Sequence, residues 1–539
     1  MTLSERFRVL SLKRQDTIFS ASLVLVITFA ASAVLGLLRS RFLNARFFNC
    51  CLLELDAYNA AFRLPDLIFK LLVTGALSAS FIPVFSTYLH KDKEMANKIG
   101  STVINLLLIT LTIISLIVFI FANQFSHLIA GGFNSYQIEL MSNLTRILLI
   151  AQIFFLVSNF LTGILQVHQV FIVPALSPIV YNFFIILSIF TLVPYFGIYG
   201  VVYGAVVGAF FHLIIQIPVA RKIGFDYSLI FNPKLTGVRE IINLMIPRSL
   251  SLGLGEIENT ITLFFASTLT IGSISLLNLA LQIMYLPSRI FGTTVGQASL
   301  PILSKSVANN KLDEFRHTVF KTIIQSLFIA TPVASLVLVL RLPIVRLAFG
   351  SRQFPWAATL LTARTLGFLT PAIILQALTQ ILIRAFYALH NTKTPLKISF
   401  ISLVINILSS YFFVHYTNLG IVGLAVSATI GNIIQSFGLF YLFIHTVDGF
   451  NYKIFFPKVI KIIFNSVFMA LTTYGTLKIL DLFILDTAKT VSVLILFIIS
   501  LVVGFVSYYL FSRLFTPEEL KPYHHLFQKY VSRLFISPK

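Results

Sequence analysis

The feature that most limits this chain is the recurrence, over nearly its whole length, of apolar segments separated by short basic loops. A membrane-crossing helix needs roughly 20 consecutive apolar residues. Fourteen segments meet that length, at about 17–38, 54–88, 99–123, 143–166, 173–193, 197–221, 236–270, 274–304, 315–340, 355–388, 394–416, 420–446, 455–480 and 488–513. Composition agrees, since 57% of the 539 residues are hydrophobic, 11% are charged and the mean hydropathy is +0.92. The fold class expected is therefore an all-α polytopic membrane protein of about 14 transmembrane helices.

The formal net charge of +21 is dispersed among the loops rather than gathered on one soluble domain, which argues against nucleic acid as a partner. With a cytoplasmic N-terminus, the inner side collects the basic leader 1–16, Lys91, Lys93, Lys98, Arg221, Lys222, Lys234, Arg239, Lys305, Lys311, Arg316, Lys393, Lys397 and the tail. The outer side keeps chiefly Arg39, Arg41, Arg46, Arg341, Arg346 and Arg352. The excess of inward lysine and arginine places both termini in the cytoplasm. The first apolar segment is too long for a signal peptide and precedes no small-residue cleavage site, so it is expected to be retained. Cys50 and Cys51 are adjacent, a spacing that rarely closes without strain, and are expected to be packing residues. No metal-ligand spacing and no nucleotide-binding loop of the GxxxxGK[ST] type occurs, so no cofactor, no metal and no enzymatic activity are expected.

One segment departs from the apolar rule. Leu53–His90 carries Glu54, Asp56, Arg63, Asp66 and Lys70, and Pro65, Gly75 and Pro83 interrupt it. Each charge at the centre of a bilayer costs roughly 2.5–3.5 kcal/mol, so five in one span imply that the helix lines a wet cavity. Its pattern returns later in the chain. LPDLIF (Leu64–Phe69) followed by FIPVFSTYL corresponds to LPSRIF (Leu286–Phe291) followed by LPILSKSV. TGILQVHQVFIVPALSPIVYN (Thr162–Asn182) corresponds to RAFYALHNTKTPLKISFISLVIN (Arg384–Asn406). The expectation is two pseudo-symmetric six-helix lobes, 17–222 and 236–447, two additional helices over 455–513, and a tail over 516–539, with the substrate path between the lobes.

Span seven, IPRSLSLGLGEIENTITLFF, sets Arg248 and Glu256 about two helical turns apart on one face, with Gly253 and Gly255 loosening the helix between them. Arg289 in span eight and Arg39 at the end of span one complete a set of charges on spans 1, 2, 7 and 8. Arg41 and Arg46 fit either an interfacial placement, snorkelling from the helix end, or the cavity, and Arg146, Arg364 and Lys478 are read as structural. In the tail, Thr516, Pro517 and Glu519 form a helix start, and Leu520, Tyr523, Phe527, Tyr530 and Leu534 recur at helical spacing. Two placements suit it: on the inner leaflet, or against the cytoplasmic loops.

Several of these stretches carry a resemblance. LDAYNAAFRLPDLIFKLLVTGALSASFIPVFSTYL is similar to the second helix of the MurJ/MviN family, and RAFYALHNTKTPLKIS to its tenth-to-eleventh helix junction. VLGLLR (Val34–Arg39) resembles the end of its first helix and GVREIINLMIPRSL the start of its seventh. The resemblance covers about residues 20–510. It implies a lipid II flippase of the multidrug/oligosaccharidyl-lipid/polysaccharide exporter superfamily. Such a protein moves a polyprenyl-diphosphate glycan from the inner to the outer leaflet of the bacterial cytoplasmic membrane for peptidoglycan synthesis, with lipid II and membrane lipids as its partners.

By position, Arg39 and Asp56 match cavity residues of that family. Phe69, Gln282, Tyr285 and Ala33 stand where the family has an arginine, an arginine, a glutamate and an arginine, and Arg63, Lys70, Arg248 and Arg289 would supply replacement charge. Span eleven has no acid, unlike the sodium-dependent members. The resulting expectation is that Arg39, Arg63 and Arg289, aided by Lys70, bind diphosphate, while Asp56 and Glu256 hold those cations in the empty site. A flippase for another polyprenyl-linked glycan, a cation-coupled drug exporter and a non-transporting scaffold remain as alternatives.

Overall fold

The computed structural model describes residues 18–75, 77–288, 294–447, 449, 452–521 and 523, with the side chains of 18–27, 78, 79, 247, 248, 250–252, 294, 297, 298 and 301 outside that description. It is all helix and turn among those residues, and it comprises two compact units. Among the described residues, ten helices are long and apolar enough to cross a membrane. The four remaining expected crossings, 1, 2, 7 and 8, are the ones that carry the predicted charges.

The first unit takes in residues 1–275 and 351–354. Its long elements are α1 (Ile18–Phe47), α2 (Leu52–Ala61), α3 (Arg63–Phe69), α4 (Ile82–Lys91), α5 (Lys93–Ile120), α6 (Ser135–Val167), α7 (Ile172–Thr191), α8 (Ile198–Ile214), α9 (Thr236–Ser267) and the first turn of α10 (Ser273–Ser288). Small residues let α7 and α8 close on each other. Gly200, Gly204 and Gly208 present one bare stripe, and a Cβ at Gly208 would stand 2.9 Å from the Tyr181 carbonyl oxygen, while one at Gly204 would overlap the Ser188 hydroxyl. α1 packs on α7, with the Phe42 and Phe190 rings edge to face at 5.2 Å. Asn134 caps α6 in a reciprocal arrangement with Gln137.

The second unit contains α11 (Thr294–Ala308), α12 (Leu312–Val339), α13 (Trp356–Ala388), α14 (Lys393–Tyr416), α15 (Ile421–Thr446), α16 (Tyr452–Ile479) and α17 (Thr490–Phe515). One apolar core joins α12, α13, α15, α16 and α17 through Phe315, Phe328, Phe386, Phe443, Ile462 and Met469. Two hydroxyls buried in this unit are paired to carbonyls: Tyr508 donates to the Phe328 carbonyl oxygen at 2.7 Å, and Ser436 to that of Leu375 at 2.7 Å. The outer faces of α14 and α17 remain apolar and exposed, as lipid-facing surfaces should be.

The internal repeat is visible in the backbone. Gln169 and His390 adopt left-handed φ of 60° and 57° at the ends of α6 and α13, and each is followed by the same closing bond, Val170 N–H to Leu165 O and Asn391 N–H to Phe386 O, both 2.9 Å. Gly197 and Gly420 open α8 and α15 with φ of 54° and 55°, and Gly224 and Gly449 have φ of 82° and 85°. Equivalent corners thus turn the same way in both halves. The compact units nevertheless do not part at residues 223–235, because α9 packs with the first unit.

Two sequence expectations change here. Cys50 and Cys51 are joined as a vicinal disulfide in the turn between α1 and α2, with Cys50 exposed and Cys51 half-buried, and are not simply packing residues. Gly253 and Gly255 do not loosen α9, which runs unbroken from Thr236 to Ser267. The tail begins as a short helical segment that packs on the second unit. Tyr523 stacks on Phe328 at 5.5 Å, and Lys458 pairs with Glu518 and Glu519 at 2.8 and 3.0 Å. The rest of the tail, with Phe527, Tyr530 and Leu534, lies outside the described residues, as does the leader 1–16.

Candidate functional site

The charged segment folds as a helix with a defect. α2 and α3 are α-helical, then Lys70–Thr74 and Leu77–Phe81 are wound as π-helix, and α4 resumes the α form. π-turns of this kind come from an extra residue in the helix and cluster at functional sites. Pro83 sits at the start of α4, where a missing N–H costs least. The loosened stretch is held from outside by α9. Ser249 donates its hydroxyl to the Leu71 carbonyl oxygen at 2.6 Å, and Gly75 is buried so tightly against Ser249 that a Cβ there would strike it.

The charges then converge. Glu256 on α9 bridges two cations of the broken helix: its Oε2 accepts from Arg63 Nη2, and its Oε1 lies 3.0 Å from Lys70 Nζ. Arg63 has two further anchors, donating from Nε to Thr260 Oγ1 at 2.9 Å and from Nη2 to the Glu256 carbonyl oxygen at 2.6 Å. The Arg63 and Glu256 side chains are each 11% exposed, whereas that of Lys70 is 41% exposed. Asp66 and Arg39 share the same electrostatic neighbourhood, so Arg39, Arg63 and Lys70 stand against Asp66 and Glu256. Arg39 also acts on the phenols of Tyr58 and Tyr181. Arg63 and Lys70 thus meet on one carboxylate, with the lysine the more exposed of the two cations.

Asp56 does something else. Expected to hold cations, it instead accepts from the Gly272 and Ser275 backbone N–H groups at 2.6 and 2.9 Å and from the Ser275 hydroxyl at 2.6 Å. It thereby caps the start of α10, where free N–H groups and the helix dipole favour a carboxylate. Asn59, one turn on, donates to the same Ser275 hydroxyl at 3.0 Å. The physical reason for the change is competition: three donors of the 272–275 turn already satisfy the Asp56 carboxylate, and Arg63 and Lys70 have Glu256.

A profile of the family described as Lipid II flippase MurJ matches residues 51–501. The chain belongs to the lipid II flippase MurJ family. Relatives in that family include the probable lipid II flippase MurJ of Bdellovibrio bacteriovorus, 26% identical over 487 residues, covering 89% of this chain and 91% of the relative. The lipid II flippase MurJ of Burkholderia cenocepacia is 26% identical over 394 residues, 71% of this chain and 76% of that one. A MurJ structure in an inward closed conformation superposes with a TM-score of 0.75 at 25% identity, covering 92% of this chain and 99% of that chain. An inward-facing multidrug resistance MATE family transporter of the MOP superfamily shares the fold, with a TM-score of 0.63 at 17% identity over 77% of this chain and 95% of its own.

Other expected residues of this MurJ family chain are placed as follows. Phe69 packs edge to face on Phe155 at 6.1 Å, so the position where the resemblance implies an arginine is filled by ring packing. Ala33 is half-buried on α1, and Gln282 and Tyr285 are half-buried on α10. Arg248 lies on α9 with its side chain outside the description, and Arg289 lies outside the described residues. Arg146 spans to the Phe119 carbonyl oxygen and to Asn143 at 3.1 and 2.7 Å, the structural role expected of it, and Arg364 and Lys478 are exposed. Sequence reasoning named Asp66 only as a span charge and passed over Ser249 and Thr260. Their signal is weak: hydroxyls in a glycine-bearing span mark polar packing but not its partner.

Proposed function

We propose that this chain flips lipid II, a polyprenyl-diphosphate glycan, from the inner to the outer leaflet of the bacterial cytoplasmic membrane by alternating access. Both termini then lie inside, and the 17–222 and 236–447 lobes are the repeated halves. The observation that carries the reading is the Arg63–Glu256–Lys70 cluster on an interrupted helix of a multi-pass MurJ family protein. Carrying a diphosphate past hydrocarbon means replacing its hydration. Arginine suits that task because its fork matches two phosphate oxygens, and lysine adds a mobile point charge. Arg39 extends the cationic surface in this reading.

The membrane potential is the proposed drive. An outward-moving dianion in an inside-negative cell gains roughly 4–5 kcal/mol at 100 mV, from about 2.3 kcal/mol per charge. The absence of an acid from span eleven argues against the sodium site of other members. Collapsing the potential in proteoliposomes should slow flipping; control by a sodium gradient alone would remove this drive.

The decisive experiment is complementation of a cell depleted of its lipid II flippase. Rescue is expected, and failure despite normal membrane insertion would favour a flippase for another polyprenyl-linked glycan. Gln282 and Tyr285, standing in place of the family's helix-eight arginine and glutamate, are what keep that second reading in view.

A further inference from the structure

We propose that the Glu256 carboxylate is a resident competitor for the substrate's diphosphate: it occupies Arg63 and Lys70 in the empty protein, is displaced on loading, and returns to drive release. The inference rests on the flippase reading above and concerns how the same site lets go of its cargo.

Three features of the cluster support exchange over a fixed structural bridge. First, Glu256 uses its two oxygens on two different cations, Oε2 on Arg63 and Oε1 on Lys70. That is how a phosphate group with several anionic oxygens would sit. Second, Arg63 keeps its position without the carboxylate. Its bonds to Thr260 Oγ1 at 2.9 Å and to the Glu256 carbonyl oxygen at 2.6 Å do not involve the charge of Glu256, and Thr260 is itself fixed to that carbonyl at 2.7 Å. Third, the two helices stay joined when the ion pair opens, because Ser249 holds the Leu71 carbonyl and Gly75 lies against it. The side chain of Lys70 is 41% exposed, so an arriving anion meets it first.

The energetic argument follows from competition. Two cations held ready with no anion would bind a diphosphate tightly and release it slowly. An internal carboxylate lowers the net gain of binding by whatever it loses on displacement, and it recovers that amount when the cargo departs. Tight retention would lower turnover in a carrier, so an internal rival anion favours transport over capture.

The test uses the full-length protein and undecaprenyl diphosphate in detergent micelles as the probe, with binding read by native mass spectrometry and flipping read in proteoliposomes. Glu256→Gln should bind the probe about tenfold more tightly and flip more slowly. Equal or weaker binding by a Glu256→Gln protein with wild-type elution and melting would overturn the proposal, because the carboxylate would then be needed to hold the cations in place. Should Glu256→Gln not fold, Glu256→Asp decides. Its shorter carboxylate reaches one cation at a time, so tighter binding supports the exchange and unchanged or weaker binding refutes it. Arg63→Gln separates the two levels. Lost binding there, together with no gain in Glu256→Gln, sinks the competitor alone; wild-type binding in Arg63→Gln sinks the flippase site and the competitor together.

Discussion

The two compact units bury different chemistry. The first sets Arg63, Asp66, Lys70 and Glu256 beside a helix wound partly in the π form, and spends a second carboxylate, Asp56, on capping a turn. The second has a continuous aliphatic and aromatic core, with hydroxyls such as those of Ser436 and Tyr508 paired to carbonyls, and ion pairs such as Lys458 with Glu518 and Glu519 outside that core. Buried ion pairs add little net stability, because desolvation offsets most of their attraction. The first unit thus gathers its charges on one irregular helix and the helix that holds it, whereas the buried charges of the second, Arg384 and Glu519, lie on different segments.

The sharpest way to break this comparison is to remove the charges of the first unit. Arg63→Ala, and independently Arg39→Ala, should abolish rescue of flippase-depleted cells while membrane insertion and expression stay normal; retained growth would take the residue out of the site. Next in size is Phe386→Ala in the second unit's core. Truncating a fully buried phenylalanine costs about 3–5 kcal/mol, so melting should fall by many degrees, and the surviving folded fraction should still bind the polyprenyl diphosphate normally. A loss of binding at unchanged melting would blur the division of labour.

Asp56→Asn should be intermediate. A hydrogen bond to a charged group is worth about 1.5–3 kcal/mol, and the amide retains only part of the cap on α10, so both melting and flipping should decline. If flipping alone falls, Asp56 belongs with the substrate-handling charges after all.

The smallest effect is at the inner edge of the second unit. Lys458 holds the exposed Glu518 carboxyl below its usual range. A depressed carboxylate stabilises the fold above its ordinary pKa of 4.5 and loses that contribution as pH falls through the lower folded value. The melting difference between wild type and Lys458→Gln should therefore be slight at neutral pH and vanish in acid. A difference that grows in acid would mean the bridge is not what joins the tail to α16.

The order of helices and the repeat were readable because both rest on local signals: apolar length, and corners such as Gln169 and His390 that recur with their prolines downstream. The charged segment announced itself for the same reason, since five charges in one span conflict with lipid. What could not be read was pairing. Glu256 meets Arg63 across 193 residues, and Asp56 meets Ser275 across 219. No periodicity links such positions, so Asp56 and Glu256 looked alike as counter-ions when only one is. The cysteines were misjudged because strain argued against closure, while their position in a surface turn could be known only from where α1 stops and α2 starts.

The π-wound stretch of the second crossing has a consequence for length. Each π-turn accommodates one residue more than the α-helix around it, so the segment Lys70–Phe81 is a place where the chain stores slack. If one of these two turns is drawn out, everything beyond it, Pro83 and α4 included, turns about the helix axis by roughly the 100° that one residue of α-helix occupies. Lys70, at the near edge, would barely move. The protein thus has a built-in way to rotate one end of a membrane helix while the cation at the other end keeps its hold.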